Sequence, residues 1–397
     1  MNRRVPIALL PALALILAGC QTAPAPASAP ASEADDHGAI AGATELAEPA
    51  LHLTSVTPSG AVRHLDLLDE KSETLGEITP PTALDTDGRF LYAGHDGGVE
   101  IVDSGVWTWN HVDHFHYYEA PAAMLGELDG EGSPTVVASD LGAGVHFDGG
   151  EAVLLDLDAL KDGRIVERFR LDVPAGPGMI VPLPTGALVT DADGLRHVDA
   201  TGAPQETVRC DDPAGSIATN VGVVVGCADG AVLAVTDADG TTLERIPYPD
   251  GTTDRAVSFA AREGRPTVAG LTEGNALWLL DTRERTWTRL DAGEPLARVA
   301  AVDDADQHVV ALTQAGEMLV IDGETGKTLA RTEPLVAASL ADPALAAGVT
   351  LQIDPNRTYL NGPAENVMFE IDHADDARIA RTFETTDAPA FIAETGR

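Results

Sequence analysis

Three of the chain's eleven histidines fall within six residues, in the run His111-Val112-Asp113-His114-Phe115-His116. Imidazole and carboxylate side chains set this close are donors suited to Zn²⁺, which takes three or four of them and leaves a position open where the ion is to be exchanged. In an extended strand His111 and Asp113 face one side and His114 and His116 the other, so one ion reaches all four only if the segment crosses a turn. His95, in the His95-Asp96-Gly97-Gly98 turn, and His146, in His146-Phe147-Asp148-Gly149-Gly150, are the candidates to complete such a site. His52, His64, His197, His308 and His373 lie singly in or beside strand-like runs and are expected to be structural, while His37 sits in a polar tail beside Asp35 and Asp36. No Gly-x-Ser-x-Gly elbow is present, and no Ser or Cys is set beside a His as a nucleophile. Gly323-Glu324-Thr325-Gly326-Lys327-Thr328 lacks the four-residue spacing of a phosphate loop and reads as a turn between strands. The chain is therefore expected not to be an enzyme.

The elements that must position these side chains come from a repeat. A short apolar or alternating run ends in an aspartate at Asp66, Asp103, Asp156, Asp199, Asp237, Asp281, Asp322 and Asp372, and a turn follows each. The mean spacing is about 44 residues, that of a four-stranded propeller blade. The runs are rich in Val, Leu and Ile and are bounded by turns such as Asp-Gly and Gly-Gly, as strands are. An aspartate recurs because its carboxylate can accept hydrogen bonds from the turn amides, so the marker is structural and none of these residues is nominated as catalytic. The residues after Asp372 and those from Leu51 to Asp66 together make one more repeat length. Strands near residues 378–384 and 389–393 are thus expected beside strands near 51–55 and 61–65, removing exposed sheet edges. The expected fold is all-β, a closed β-propeller of four-stranded blades, eight in number, with seven as the alternative. With the marker aspartate closing the third strand from the channel, residues 106–109 are expected to be the outermost strand of their blade. The segment 111–116 then links that strand to the next blade, at the end that carries the His95 and His146 turns.

Ahead of the repeat, Arg3 and Arg4 precede an apolar run over residues 5–18 that ends in Leu17-Ala18-Gly19-Cys20. This is the pattern of a lipoprotein signal: cleavage after residue 19, lipid on Cys20, and an extracytoplasmic protein held to the membrane through that lipid. Residues 20–50, rich in Ala, Pro and Ser, form the lipidated cysteine and a flexible tether, leaving residues 51–397 as a single propeller domain. The formal net charge is −38 and falls by two more units when Arg3 and Arg4 leave with the signal, which excludes nucleic acid as a partner. With Cys20 lipidated, Cys210 and Cys227 remain as an even pair in an oxidising compartment and are expected to form a disulfide.

The stretch from Ser104-Gly105 through His111-Val112-Asp113-His114-Phe115-His116, followed by a propeller repeat and the Cys210 and Cys227 pair, resembles the AztD-type zinc metallochaperones. The resemblance implies an exported β-propeller that binds Zn²⁺ and passes it to the solute-binding protein of a zinc ABC transporter. It implies His111, Asp113 and His114 as ligands, with His116 as the extra histidine of the same motif. The chain departs from its relatives at Gly176-Pro177-Gly178, where they carry His-His-Gly, and at Pro213-Ala214-Gly215-Ser216, where they carry Ile-His-Gly-Glu. These departures leave His95, His116 and His146 as the residues from which a site would be remade. The alternative function is a non-catalytic propeller platform for protein or glycan binding at the cell envelope.

Overall fold

The computed structural model describes residues 40–110 and 114–397. The signal segment, Cys20, the tether up to residue 39 with His37, and the site candidates His111 and Asp113 lie outside the described residues.

Ten strands open the described chain: β1 (Thr44–Leu46), β2 (His52–Val56), β3 (Ala61–Asp66), β4 (Ser72–Glu77), β5 (Ala83–Thr86), β6 (Phe90–His95), β7 (Gly98–Asp103), β8 (Val106–Asn110), β9 (Phe115–Glu119) and β10 (Ala123–Asp129). Among the described residues, strands form eight antiparallel four-stranded sheets and one three-stranded sheet, β1-β9-β8. Helix is confined there to Leu157–Lys161, Ala337–Ala341 and Pro343–Ala346, none long and apolar enough to cross a membrane. The marker aspartates do the work of turns. Asp66 accepts the Leu68 amide, Asp199 the Thr201 and Ala203 amides, Asp281 the Arg283 amide, and Asp322 the Glu324 and Thr325 amides.

The sheets bury both faces, and each apolar cluster is shared by two successive sheets. Leu154 and Phe169 pack on Ile180 and Val189 of the next sheet, and Val310 and Leu312 on Leu360 and Phe369. The series returns to its start, since Leu53 and Leu65 pack on Tyr359 and Phe383 while Val56 and Val62 pack on Leu91 and Val102. The architecture is an all-β propeller. Its two chain ends meet in one sheet, where the strand Phe391–Thr395 pairs antiparallel with β2 from His52↔Thr395 to Val56↔Phe391. The composition of that sheet corrects the expected one. Only Phe391–Thr395 comes from the C-terminal side, with β2, β3 and β4 from the N-terminal side. Arg378–Glu384 is instead the outer strand of the preceding sheet, paired with Val367–Asp372. The reason lies in the marker: Asp372 closes a third strand, so the next run completes that sheet.

A second correction bears on the site. In the sheet β5-β6-β7-β10, the outer strand after Asp103 is β10, whereas residues 106–109 belong to β8, which leaves the blade altogether. Gly105 makes the departure possible. Its φ of 80° is left-handed, and a Cβ there would stand 2.2 Å from the Ala120 carbonyl oxygen. Cys210 and Cys227 are disulfide-bonded, with Cα atoms 5.1 Å apart, and are buried in the cluster between two sheets.

Candidate metal centre

β8 and β9 form a hairpin inserted between the third and fourth strands of one blade, in register from Val106↔Glu119 to Asn110↔Phe115. Asn110 and Phe115, on either side of His111 to His114 in the sequence, face each other across this pair. β1 adds to β9 as a third strand, with Glu45 opposite Tyr118 and Leu46 opposite Tyr117. Three contacts hold the hairpin on the propeller. The Ala120 amide donates to the Gly105 carbonyl at 2.7 Å, and the Thr108 hydroxyl donates to the Gly396 carbonyl at 2.7 Å. The Arg89 guanidinium, doubly bonded to Asp103 at 3.0 and 2.7 Å, lies 3.8 Å over the Trp107 ring, which stacks on Tyr118.

On this frame His114 and His116 are brought together, their rings edge to face with centroids 4.5 Å apart. His116 is buried, stacked between Trp109 and Tyr118, and its Nδ1 lies 2.7 Å from the Glu45 carboxylate. An ionised carboxylate only accepts, so in this contact it is the Nδ1–H that donates to Glu45. Carboxylate-oriented imidazoles of this kind are the usual support of a metal-ligating histidine. His114 is exposed, as is Phe115 beside it. Glu45 is the residue that sequence reading missed. It falls within the Ala/Pro-rich stretch read as tether, and only the alternation Thr44-Glu45-Leu46 hints at a strand.

His95 and His146 are not brought to the hairpin. His95 ends β6 opposite Gly98, while the hairpin leaves from the other end of the same strand pair, where Phe90 faces Asp103. Five residues of extended chain separate the two ends, about 17 Å. The expectation of one shared end is thereby corrected, and its cause is the insertion itself: the connection from third to fourth strand emerges opposite the connection from second to third. His95 Nε2 lies 3.1 Å from Glu127 Oε1 without hydrogen-bond geometry. His146 is buried in the strand Gly142–Phe147, and a Cβ on Gly178 would stand 2.4 Å from its Nε2. Burial lowers the His146 pKa and keeps the ring neutral. Gly176-Pro177-Gly178 thus allows the backbone to close over His146. Among the described residues, no group of three His, Cys, Asp or Glu side chains is gathered to hold a metal ion.

No protein-family model matches the chain. In overall structure it is similar to AztD from Citrobacter koseri, in an apo structure and in a second crystal structure, with a TM-score of 0.75, 19% identity, and coverage of 88% of this chain and 98% of that one. It is also similar to the dihydro-heme d1 dehydrogenase NirN in complex with DHE, with a TM-score of 0.54, 16% identity and coverage of 88% and 76%. Sqt1 from Chaetomium thermophilum, bound to the N-terminus of ribosomal protein L10, matches with a TM-score of 0.53, 14% identity and coverage of 84% and 92%. At these identities the likeness establishes the fold. A dehydrogenase and a peptide-binding protein share it, so function has to be argued from the site.

Proposed function

We propose that the chain is an extracytoplasmic zinc-binding protein that hands Zn²⁺ to the solute-binding protein of a zinc ABC transporter, without catalysing a reaction. The observation that carries this is the hairpin itself, where Glu45 orients His116 against His114 at the tip of an inserted, solvent-facing element. His111 and Asp113, which join β8 to His114 in the sequence, would complete the donor set. The AztD-type resemblance of the motif and the AztD-like fold support the same assignment. Ligand exchange is the mechanism: imidazoles displaced one at a time by an incoming donor pass the ion on without leaving it hydrated. Lipid on Cys20 would keep the protein at the membrane beside its partner, with residues 21–39 setting the reach.

The test is zinc titration of the purified protein in excess Mg²⁺, which occupies adventitious carboxylate sites because it prefers oxygen ligands. One tight zinc equivalent is expected, weakened in acid because imidazole must be deprotonated to bind. Replacing His114 and His116 together with Ala is expected to weaken it more than 100-fold, on the order of 3 kcal/mol, with the propeller still folded. Tight binding retained in the double variant places the site elsewhere. No binding in either protein leaves a non-catalytic binding platform as the function.

A further inference from the structure

At the end of the β6–β7 pair away from the hairpin, the chain turns through Asp96 and Gly97, and His95 faces Gly98 across the pair. The outer strand β10 lies beside β7 in register, with Asp129 opposite Gly98 and Glu127 opposite Glu100. Side chains directly opposite one another share a face of the sheet, and so do residues two apart on one strand. His95, Glu100, Glu127 and Asp129 therefore project from one face, three carboxylates beside one imidazole. Glu100 is engaged, its carboxylate accepting the Thr79 amide at 2.6 Å. Among the described residues the ion-pair partner of Glu127 is His95 alone.

His95 and Glu127 meet without bonding to each other. The ring donates from Nδ1 to the Asp96 carbonyl at 3.2 Å, since a carbonyl oxygen only accepts. That leaves Nε2, which is buried and has no hydrogen-bond partner although Glu127 Oε1 stands 3.1 Å from it. At that distance an N–H aimed at the oxygen would make a normal hydrogen bond, so the oxygen lies off the axis of the ring nitrogen. Two donors aimed at one ion between them stand in this way. On a tetrahedral Zn²⁺, with Zn–N and Zn–O both about 2.0–2.2 Å, an imidazole nitrogen and a carboxylate oxygen are roughly 3.3 Å apart, and each points at the ion rather than at the other. Gly98 keeps the place open. A Cβ there would stand 2.2 Å from Glu127 Oε1 and 3.0 Å from His95 Cε1, so a larger residue would displace the pair. Glu127 is half-exposed, and water can fill the remaining coordination positions.

The geometry points to a second metal site, formed by His95 Nε2 and Glu127 Oε1 over Gly98, that takes a divalent transition-metal ion such as Zn²⁺. Imidazole with carboxylate suits this class of cation, whereas Mg²⁺ and Ca²⁺ prefer oxygen donors alone. Among the described residues no third such ligand is gathered there, so two side chains and water make a weaker, faster-exchanging site than three or four side chains would. The length of the β6–β7 pair separates it from the hairpin. It binds independently of the hairpin and stands or falls separately from the proposed function.

The test carries the zinc titration of the intact protein, in excess Mg²⁺, past one equivalent while the imidazole nitrogen resonances of the histidines are followed by NMR. A second, weaker equivalent is expected, and its filling should shift the Nε2 resonance of His95. Glu127→Gln, which keeps the size of the side chain and removes its charge, and His95→Gln should each lose this equivalent and keep the tight one. In the variant with His114 and His116 both replaced by Ala the weaker equivalent should remain, which separates the fate of this site from that of the hairpin. Survival of the weaker equivalent in Glu127→Gln overturns the proposal, and with the His95 resonance unmoved it is adventitious carboxylate binding only. A parent that takes up no weaker equivalent also overturns it, and a lower metal-free melting midpoint in Glu127→Gln would then mark the pair as an imidazolium–carboxylate contact.

Discussion

Among the described residues two pairs of histidines touch ring to ring, in opposite surroundings. His52 and His64 stack at 4.0 Å inside the sheet where the chain ends meet, and His114 and His116 meet at 4.5 Å on the inserted hairpin. His64 is bonded through Nδ1 to the Thr54 hydroxyl at 2.8 Å, and Thr54 in turn contacts Thr395 on the neighbouring strand. No carboxylate reaches it, and burial together with the His52 ring brings its pKa down to about 3. His116 is just as buried, yet it faces the Glu45 carboxylate, and its neighbour His114 stands in solvent. The difference teaches that burial alone does not make a histidine inert. What separates the pairs is the partner of the buried ring, a hydroxyl within the sheet for His64 and a carboxylate on the hairpin for His116. It also separates the two kinds of damage a substitution should cause: the interior loses stability, the hairpin loses binding.

That separation can be broken from the interior first, where the largest effect of stability is expected. The disulfide ties Cys210, in a connection between strands, to Cys227 at the end of a strand 17 residues on, and for loops of about that length a bridge is worth about 3 kcal/mol. Cys210→Ser should lower the unfolding free energy by that amount while zinc affinity at the hairpin is unchanged. Loss of zinc binding in the folded variant would show that the interior and the hairpin are coupled and that the contrast is false.

A smaller effect sharpens the contrast from the hairpin side. Glu45→Gln keeps the shape of the β1 side chain but replaces a charged acceptor with a neutral one, and loss of an orienting partner of this kind typically weakens metal affinity 10- to 100-fold. Competition titration with a zinc chelator should find that loss, with the melting midpoint of the metal-free protein moved little because Glu45 is a half-exposed residue on a three-residue strand. Unaltered affinity would reduce the Glu45 contact to packing.

What the sequence disclosed depended on how local the signal was. The blade repeat was legible because each third strand ends in an aspartate that caps its own turn, as Asp199 and Asp322 do within a few residues. The disulfide was legible by counting cysteines. The hairpin was not, because β8 and β9 alternate and turn like any blade strands, and only the pairing of β7 with β10 shows that they leave the sheet. With that insertion hidden, β8 and β9 are expected at the wrong end of the blade, and the expected neighbourhood with His95 and His146 follows from that. Glu45 was illegible for another reason: its partner His116 is 71 residues away, and the Ala/Pro composition around β1 reads as unfolded.

The smallest expected effect is a pH dependence of stability, and it tests whether the stacked interior pair is as inert as the contrast requires. His64 has a folded pKa of about 3 against an ordinary value of 6.5, so the unfolded chain binds a proton that the folded chain refuses. Its contribution to stability is complete above pH 6.5 and is lost as pH falls toward 3. At pH 5 the loss is about 2 kcal/mol. In the parent this slope is masked, because burial raises the Glu394 carboxyl to about 8 and that group gains a proton on folding over the same interval. The readout is therefore the difference between parent and His64→Gln, whose amide retains a hydrogen bond to Thr54 without titrating. Denaturation from pH 7 to 4.5 should show the variant gaining on the parent steadily below pH 6.5, with no change between pH 7 and 8. Parallel curves across the whole range would mean that His64 accepts its proton in the folded state, and that burial in the sheet does not hold the ring neutral.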